Sequence, residues 1–188
     1  LRFSNDYIDV ILGETFAQPN TIFIVWNINS LSGTDHQYVF DNYSTSNRAI
    51  LMFWENIGIS MINSSNKWYS KTAPFDYILS TVVYNGANDN IFENGELKLQ
   101  GSYNSAAIQG LRLGSNAYLS RPLYGDIAEL IMYNNLLDNE SREQVEAYIM
   151  DKYSPEFNLG EDIVINYGFC DTTLNVSPDF TDILWSTG

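Results

Sequence analysis

A chain of 188 residues with 23 Asp+Glu against 9 Lys+Arg has a net charge of -14, which repels phosphate backbones and anionic membranes and so excludes a nucleic-acid binder. An apolar fraction of 45% is enough to build a core, which excludes disorder, and no apolar run is long enough to insert into a membrane as a helix. The single cysteine, Cys170, has no internal disulfide partner, and the length suits one full domain plus the beginning of another.

The 13 Tyr, 10 Phe and 4 Trp, with many β-branched residues, favour strands. Leu1-Arg2-Phe3 already reads as strand, and the chain is expected to be a piece of a longer protein. Residues 7–11 alternate apolar and polar, the period of a half-buried strand. Residues 21–26 are apolar nearly throughout and predict a buried central strand, with Trp26 in the core. Residues 49–54 and 57–62 form an expected pair joined near Asn56 and Gly58, and residues 77–84 give another long strand. Ile91-Phe92-Glu93 and Glu96-Leu97-Lys98-Leu99 flank Asn94-Gly95, two residues that tolerate the positive φ of a type I′ hairpin turn. Short and long strands follow at 111–113 and 126–133. One helix is predicted from near Asp138, whose side chain can cap the first turn. Val145, Tyr148, Ile149 and Tyr153 recur along one face, and Pro155 ends it. Many short strands with regular turns and one late helix predict an all-β, two-sheet antiparallel jelly-roll sandwich, the helix packing on an edge or end.

Gly125-Asp126-Ile127-Ala128-Glu129, the pair Tyr133-Asn134, and a capped helix closing with Lys152-Tyr153 resemble the laminin-G-like, concanavalin A-like jelly-roll family. Residues 1–10 resemble its opening strand and residues 92–96 its hairpin, so the resemblance covers about 1–154. Ser141 stands where relatives often carry Glu, which leaves the capping box incomplete. After a linker at 155–160, residues 161–188 resemble the start of an immunoglobulin-like repeat. Repeats of that kind occur in gliding-motility adhesins and type IX secreted surface proteins of Bacteroidetes. There the partner of Cys170 would lie later in the chain.

Little in the sequence points to catalysis. His36, the only histidine, has no nucleophile signature around it. The Glu-x-Asp-x-x-Glu strand of laminarinase-like relatives is absent. Glu93 and Glu96 face each other across a turn, but a hairpin tip is expected to be solvated, without the walls that would raise one pKa. Calcium is expected at the sandwich rim, held by carboxylates at strand ends and loops: Asp6, Asp35, Asp41, Asp89 and Asp126 are the candidates. Sugars stack on exposed aromatic rings, and Trp54, Trp68, Tyr69, Tyr118 and Tyr124 are the candidates. Trp68 and Tyr69, being adjacent in a strand, face opposite ways, so that one of them is exposed. The expected function is a non-catalytic carbohydrate-binding or adhesive module of a large secreted or cell-surface protein. Its expected partners are a glycan, neutral or bridged by Ca²⁺, and flanking domains of the same chain. A ligand-free spacer and a glycan-active enzyme are the alternatives.

Overall fold

The computed structural model describes residues 1–32, 36–43, 49–55, 57–62, 67–86, 88–102 and 107–153. In chain order they form β1 (Arg2–Ser4), β2 (Ile8–Phe16), β3 (Asn20–Ile28), β4 (His36–Asn42), β5 (Ile50–Trp54), β6 (Gly58–Ile62) and β7 (Lys67–Ser70). The chain continues with β8 (Ile78–Tyr84), β9 (Asp89–Glu93), β10 (Glu96–Gly101), β11 (Ile108–Leu113), β12 (Tyr124–Tyr133) and one helix, α1 (Asn139–Tyr153). Two six-stranded antiparallel sheets result, β1-β12-β3-β8-β9-β10 and β2-β11-β4-β5-β6-β7. The fold is the two-sheet antiparallel jelly-roll sandwich with one short C-terminal helix that the alternation predicts.

The core lies between the sheets. Ile22, Ile24 and Trp26 of β3 meet Leu51, Phe53 and Ile59 of the other sheet, all essentially unexposed. Trp26 donates its indole N–H to Ser80 Oγ at 2.9 Å, so its one polar atom is satisfied. Strands β3 and β8 are buried at every position, not only on alternate ones. The cause is α1, which packs on the outer face of their sheet against Phe23, Val25 and Leu79. The helix therefore covers a sheet face, where an edge or end was expected.

The helix begins as its sequence predicts. The Ser141 amide donates to Asp138 Oδ1 at 2.8 Å, and this bond holds the Asp138 carboxyl below its ordinary pKa. Its buried stripe is different from the apolar one expected. Ile149 is buried and Val145 packs beside it, but Tyr148 and Tyr153 are exposed, and the other buried positions are Arg142 and Glu146. Arg142 and Glu146 pair directly, the Thr81 hydroxyl donates to Glu146 Oε1 at 2.7 Å, and the Arg142 guanidinium lies 3.9 Å over the Phe92 ring. These partners make a charged stripe at i, i+4 buriable.

The Asn94-Gly95 hairpin has the expected positive φ values, 48° and 81°. Its tip is solvated at Asn94 and Glu96, as expected, but not at Glu93. Asn94 exchanges bonds with Leu79, amide to carbonyl at 2.9 Å and side-chain oxygen to amide at 2.9 Å, which docks the turn on β8. Glu93 is consequently buried at 9% exposure, whereas Glu96 stays in solvent beside Lys98. Strand β4 was not foreseen, and β7 only as the Trp68–Tyr69 pair. Among their residues the apolar run is short and flanked by polar side chains. The proposed linker, the immunoglobulin-like start and Cys170 lie outside the described residues.

Candidate functional site

The outer face of the second sheet carries no helix, and its pairing register builds a site there. His36 of β4 stands opposite Trp54 of β5, Trp54 opposite Gly58 of β6, and Gly58 opposite Ser70 of β7. One row along, Met52, Ser60 and Trp68 are in line. Strands β5 and β7 are two ladder spacings apart, about 10 Å. Between the two indoles the intervening strand presents the small residues Gly58 and Ser60 on this face, so the rings can lean together above it. They meet edge to face, centroids 5.4 Å apart, and His36 stacks on Trp54 at 4.7 Å with its plane tilted by 23°. Gly58 is required here. Its φ is +152°, and a Cβ would sit 1.9 Å from the Tyr69 carbonyl oxygen.

Trp68 is 43% exposed, while Trp54 and His36 are half-buried. Tyr38, Ile50 and Met52 form a small buried cluster on the same face. The connection from β11 to β12 forms the far wall. It is pinned to the sheet by the Ala117 amide, which donates to Asp41 Oδ2 at 2.8 Å, and by Arg112, which donates to the Ala117 carbonyl at 3.0 Å. Arg112 also holds Asp9 and lies 4.6 Å over the Tyr7 ring. At the end of this connection Arg121 Nη1 approaches His36 Nδ1 to 2.5 Å. A guanidinium only donates, so in this contact Nδ1 acts as the acceptor. A depression of about 230 Å³, lined by Leu31, Ile57, Ser70 and Lys71, opens at the end of the His36–Trp54–Gly58–Ser70 row.

Of the five aromatic candidates, the structure brings Trp54 and Trp68 together. Tyr69 points the other way, into the sandwich, where its hydroxyl donates to Glu93 Oε2 at 2.8 Å and Lys71 holds Oε1 at 2.6 Å. Burial, then the Glu93 charge, pushes the Tyr69 phenol well above its usual pKa. Tyr118 is 61% exposed on the β11–β12 connection, and Tyr124 is half-buried at the start of β12, its amide bonded to Gln37 Oε1. Arg121 was not singled out in the sequence, and His36 was weighed only as a catalytic base. Neither its stacking role nor Arg121's approach has a local sequence signal, because both depend on which strands pair.

The candidate metal ligands are dispersed. Asp6 is exposed and accepts the Ser4 amide, Asp41 accepts the Ala117 amide, and Asp89 accepts the Asn85 amide. Asp126 takes both arms of Arg2 at 2.9 and 3.1 Å, and the Arg2 hydrogen bond holds its carboxyl below the ordinary value. Asp35 lies outside the described residues. Among the described residues no three His, Cys, Asp or Glu side chains gather into a ligand set.

No protein-family model matches the chain, and no curated protein matches it. Solved structures do match its fold. One is a Bacteroides ovatus structure described as a "putative carbohydrate binding protein", with a TM-score of 0.61 at 16% identity over 76% of this chain and 45% of that one. Another is the heptameric SAP-like pentraxin of Limulus polyphemus, with a TM-score of 0.59 at 12% identity over 74% of this chain and 75% of that one. A third is a botulinum neurotoxin type C structure described by its interaction with two ganglioside molecules, with a TM-score of 0.58 at 11% identity, over 76% of this chain and 40% of that one. The NanB sialidase of Streptococcus pneumoniae also matches, at a TM-score of 0.55 and 14% identity over 76% of this chain and 26% of that one. The chain thus spans less than half the length of the Bacteroides and neurotoxin structures, and at these identities the likeness is one of fold.

Proposed function

We propose that this domain is a non-catalytic carbohydrate-binding module whose glycan lies on the Trp54–Trp68 ledge. The observation that carries this reading is the meeting of two indoles on a sheet face that carries no helix, over the small residues Gly58 and Ser60, with Trp68 43% exposed. Pyranose rings offer flat C–H faces that stack on such rings, while the flanking polar groups can pair with hydroxyls. Fold neighbours described as carbohydrate binding, or by a ganglioside interaction, support the class of ligand. Sialidases among the neighbours mean that the fold alone does not choose between binding and hydrolysis. In this reading Tyr69 is a core residue, and the ligand-facing candidates are Trp54 and Trp68, with Tyr118 at the wall.

A shallow ledge binds weakly. Millimolar affinity corresponds to about -4 kcal/mol. Useful adhesion would come from repetition in a larger secreted or cell-surface protein, through effective concentration. Calcium is a further part of the proposal, at the rim, with the exposed Asp6 the described candidate most open to an ion. The test is a glycan array with wild type, Trp68→Ala, Trp54→Ala and Tyr69→Phe, folding being checked by near-UV dichroism, run with Ca²⁺ and with EGTA. Wild-type binding should fall roughly tenfold or more in either Trp variant and persist in Tyr69→Phe. Equal binding by folded wild type and Trp variants would overturn the ledge. Equal binding with and without Ca²⁺ would remove the ion. A wild type that binds nothing would leave the spacer reading in its place.

A further inference from the structure

In so acidic a protein each basic side chain should find a carboxylate, and among the described ones all but one do. Arg2 pairs with Asp126, Lys71 with Glu93, Lys98 with Glu96, Arg112 with Asp9, Arg142 with Glu146 and Lys152 with Glu129. Among the described basic side chains the exception is Arg121. Its one side-chain contact is the neutral acceptor His36 Nδ1, made through Nη1. The Nε and Nη2 groups, the planar edge of the guanidinium that fits a carboxylate with two parallel bonds, have no protein partner among the described residues. The charge stands one imidazole away from Trp54, because His36 touches Arg121 on one side and stacks on the indole on the other. Glu55 is next in the chain to Trp54. That carboxylate is buried and turned onto Ser32, whose amide and hydroxyl donate to it at 2.5 and 2.7 Å, and onto Gln37 at 2.9 Å.

We propose that the ledge is selective for a carboxylated sugar, its ring on Trp54 and Trp68 and its carboxylate on the Nε–Nη2 edge of Arg121. This rests on the glycan-binding reading above and narrows its ligand from sugars in general to uronic or sialic acids. The net charge of -14 had pointed toward neutral glycans or a Ca²⁺ bridge. Charge beyond about 8 Å is largely screened at physiological salt, so the local cation decides affinity at contact, and the overall charge slows only the approach.

The test titrates the folded protein with matched probes: oligogalacturonate and its methyl ester, sialyllactose and lactose, and a sulfated galactan oligosaccharide. The acid should bind about tenfold more tightly than its uncharged partner, equivalent to ~1.4 kcal/mol, and added NaCl should erode that advantage. Whichever acid shows the advantage identifies the source as uronic or sialic. Arg121→Gln keeps a donor for His36 and removes the charge, so it should abolish the preference while leaving the weaker binding of the neutral sugar. Arg121→Lys keeps the charge without the fork and should retain only part of the preference. Equal binding of acid and neutral partner by wild type, a preference that survives in Arg121→Gln, or tighter binding of the sulfated sugar would each overturn the carboxylate assignment and leave the ledge intact. Binding of none of the probes would overturn both readings.

Discussion

On the outer face of the β3-containing sheet, helix α1 buries an arginine and a glutamate. On the outer face of the β5-containing sheet, two tryptophans stay near the surface. The usual sorting of charge outward and aromatics inward is reversed on both. The reason lies in what covers each face. Under α1, Glu146 accepts from Thr81 and Arg142 sits over Phe92, so a charged pair can lose its water. Over β6 the small Gly58 and Ser60 leave room for the two indoles to meet each other, with His36 stacked on Trp54. A residue type therefore says less about its place than the element above it does.

Breaking the buried side of this comparison should have the largest effect. Glu146→Ala leaves the Arg142 guanidinium buried without its counter-ion and removes the acceptor of Thr81. Unfolding in denaturant should show a loss of about 3–5 kcal/mol. The paired change Arg142→Met with Glu146→Leu should recover most of that loss, since both polar groups leave together. A small loss in the single variant would mean that solvent reaches the pair and that the two faces differ less than described.

The exposed side can be broken from beneath. Gly58→Ala would drive a Cβ against the Tyr69 carbonyl oxygen, with the Lys71 amide also within 2.9 Å, so β7 must move and carry Trp68 with it. The expected cost is about 2 kcal/mol or more in thermal or chemical unfolding, with a parallel weakening of glycan binding. Unchanged stability would show that the β6–β7 pairing is looser than the register implies.

The same contrast marks how far the sequence could be read. Alternation placed most strands, Asn94-Gly95 placed a hairpin, and Asp138 placed the helix start, because each is a local signal. Strand β4 escaped because His36–Asn42 carries too few alternating apolar residues, and of β7 only the Trp68–Tyr69 pair was legible. The helix stripe was misjudged because tyrosines look apolar by periodicity, and nothing local says that Thr81, some 60 residues away, will satisfy Glu146. The solvated reading of Glu93 failed for a like reason: Lys71 and Tyr69 come from the opposite sheet. At the candidate site, alternation was enough to put Trp68 and Tyr69 on opposite faces. The company of Trp54, His36 and Arg121 depends on pairing β4 with β5 and β7 with β6, which no single segment encodes.

The smallest expected effect lies at the edge of the helix-covered sheet, where an ion pair is neither buried nor part of the ledge. Arg2 grips Asp126 through two bonds, yet its side chain is 77% exposed. The Arg2 hydrogen bond lowers the Asp126 pKa from its ordinary value of 3.8 in the folded state. A depressed carboxylate contributes stability that is fully present above the unfolded value and is lost as pH falls through the folded one. The pair should therefore stabilise the fold at pH 5 and above and lose that contribution progressively below pH 3.8. Because Arg2 is solvated, the contribution is the modest one of a surface pair and is reduced further by salt. Thermal unfolding of wild type and Arg2→Ala between pH 6 and pH 2 should show a gap at the upper end that closes at the lower. In contrast to Glu146→Ala, the gap should also shrink in high salt. A gap that is constant across pH would assign the effect of Arg2 to packing of its aliphatic stem instead of to Asp126.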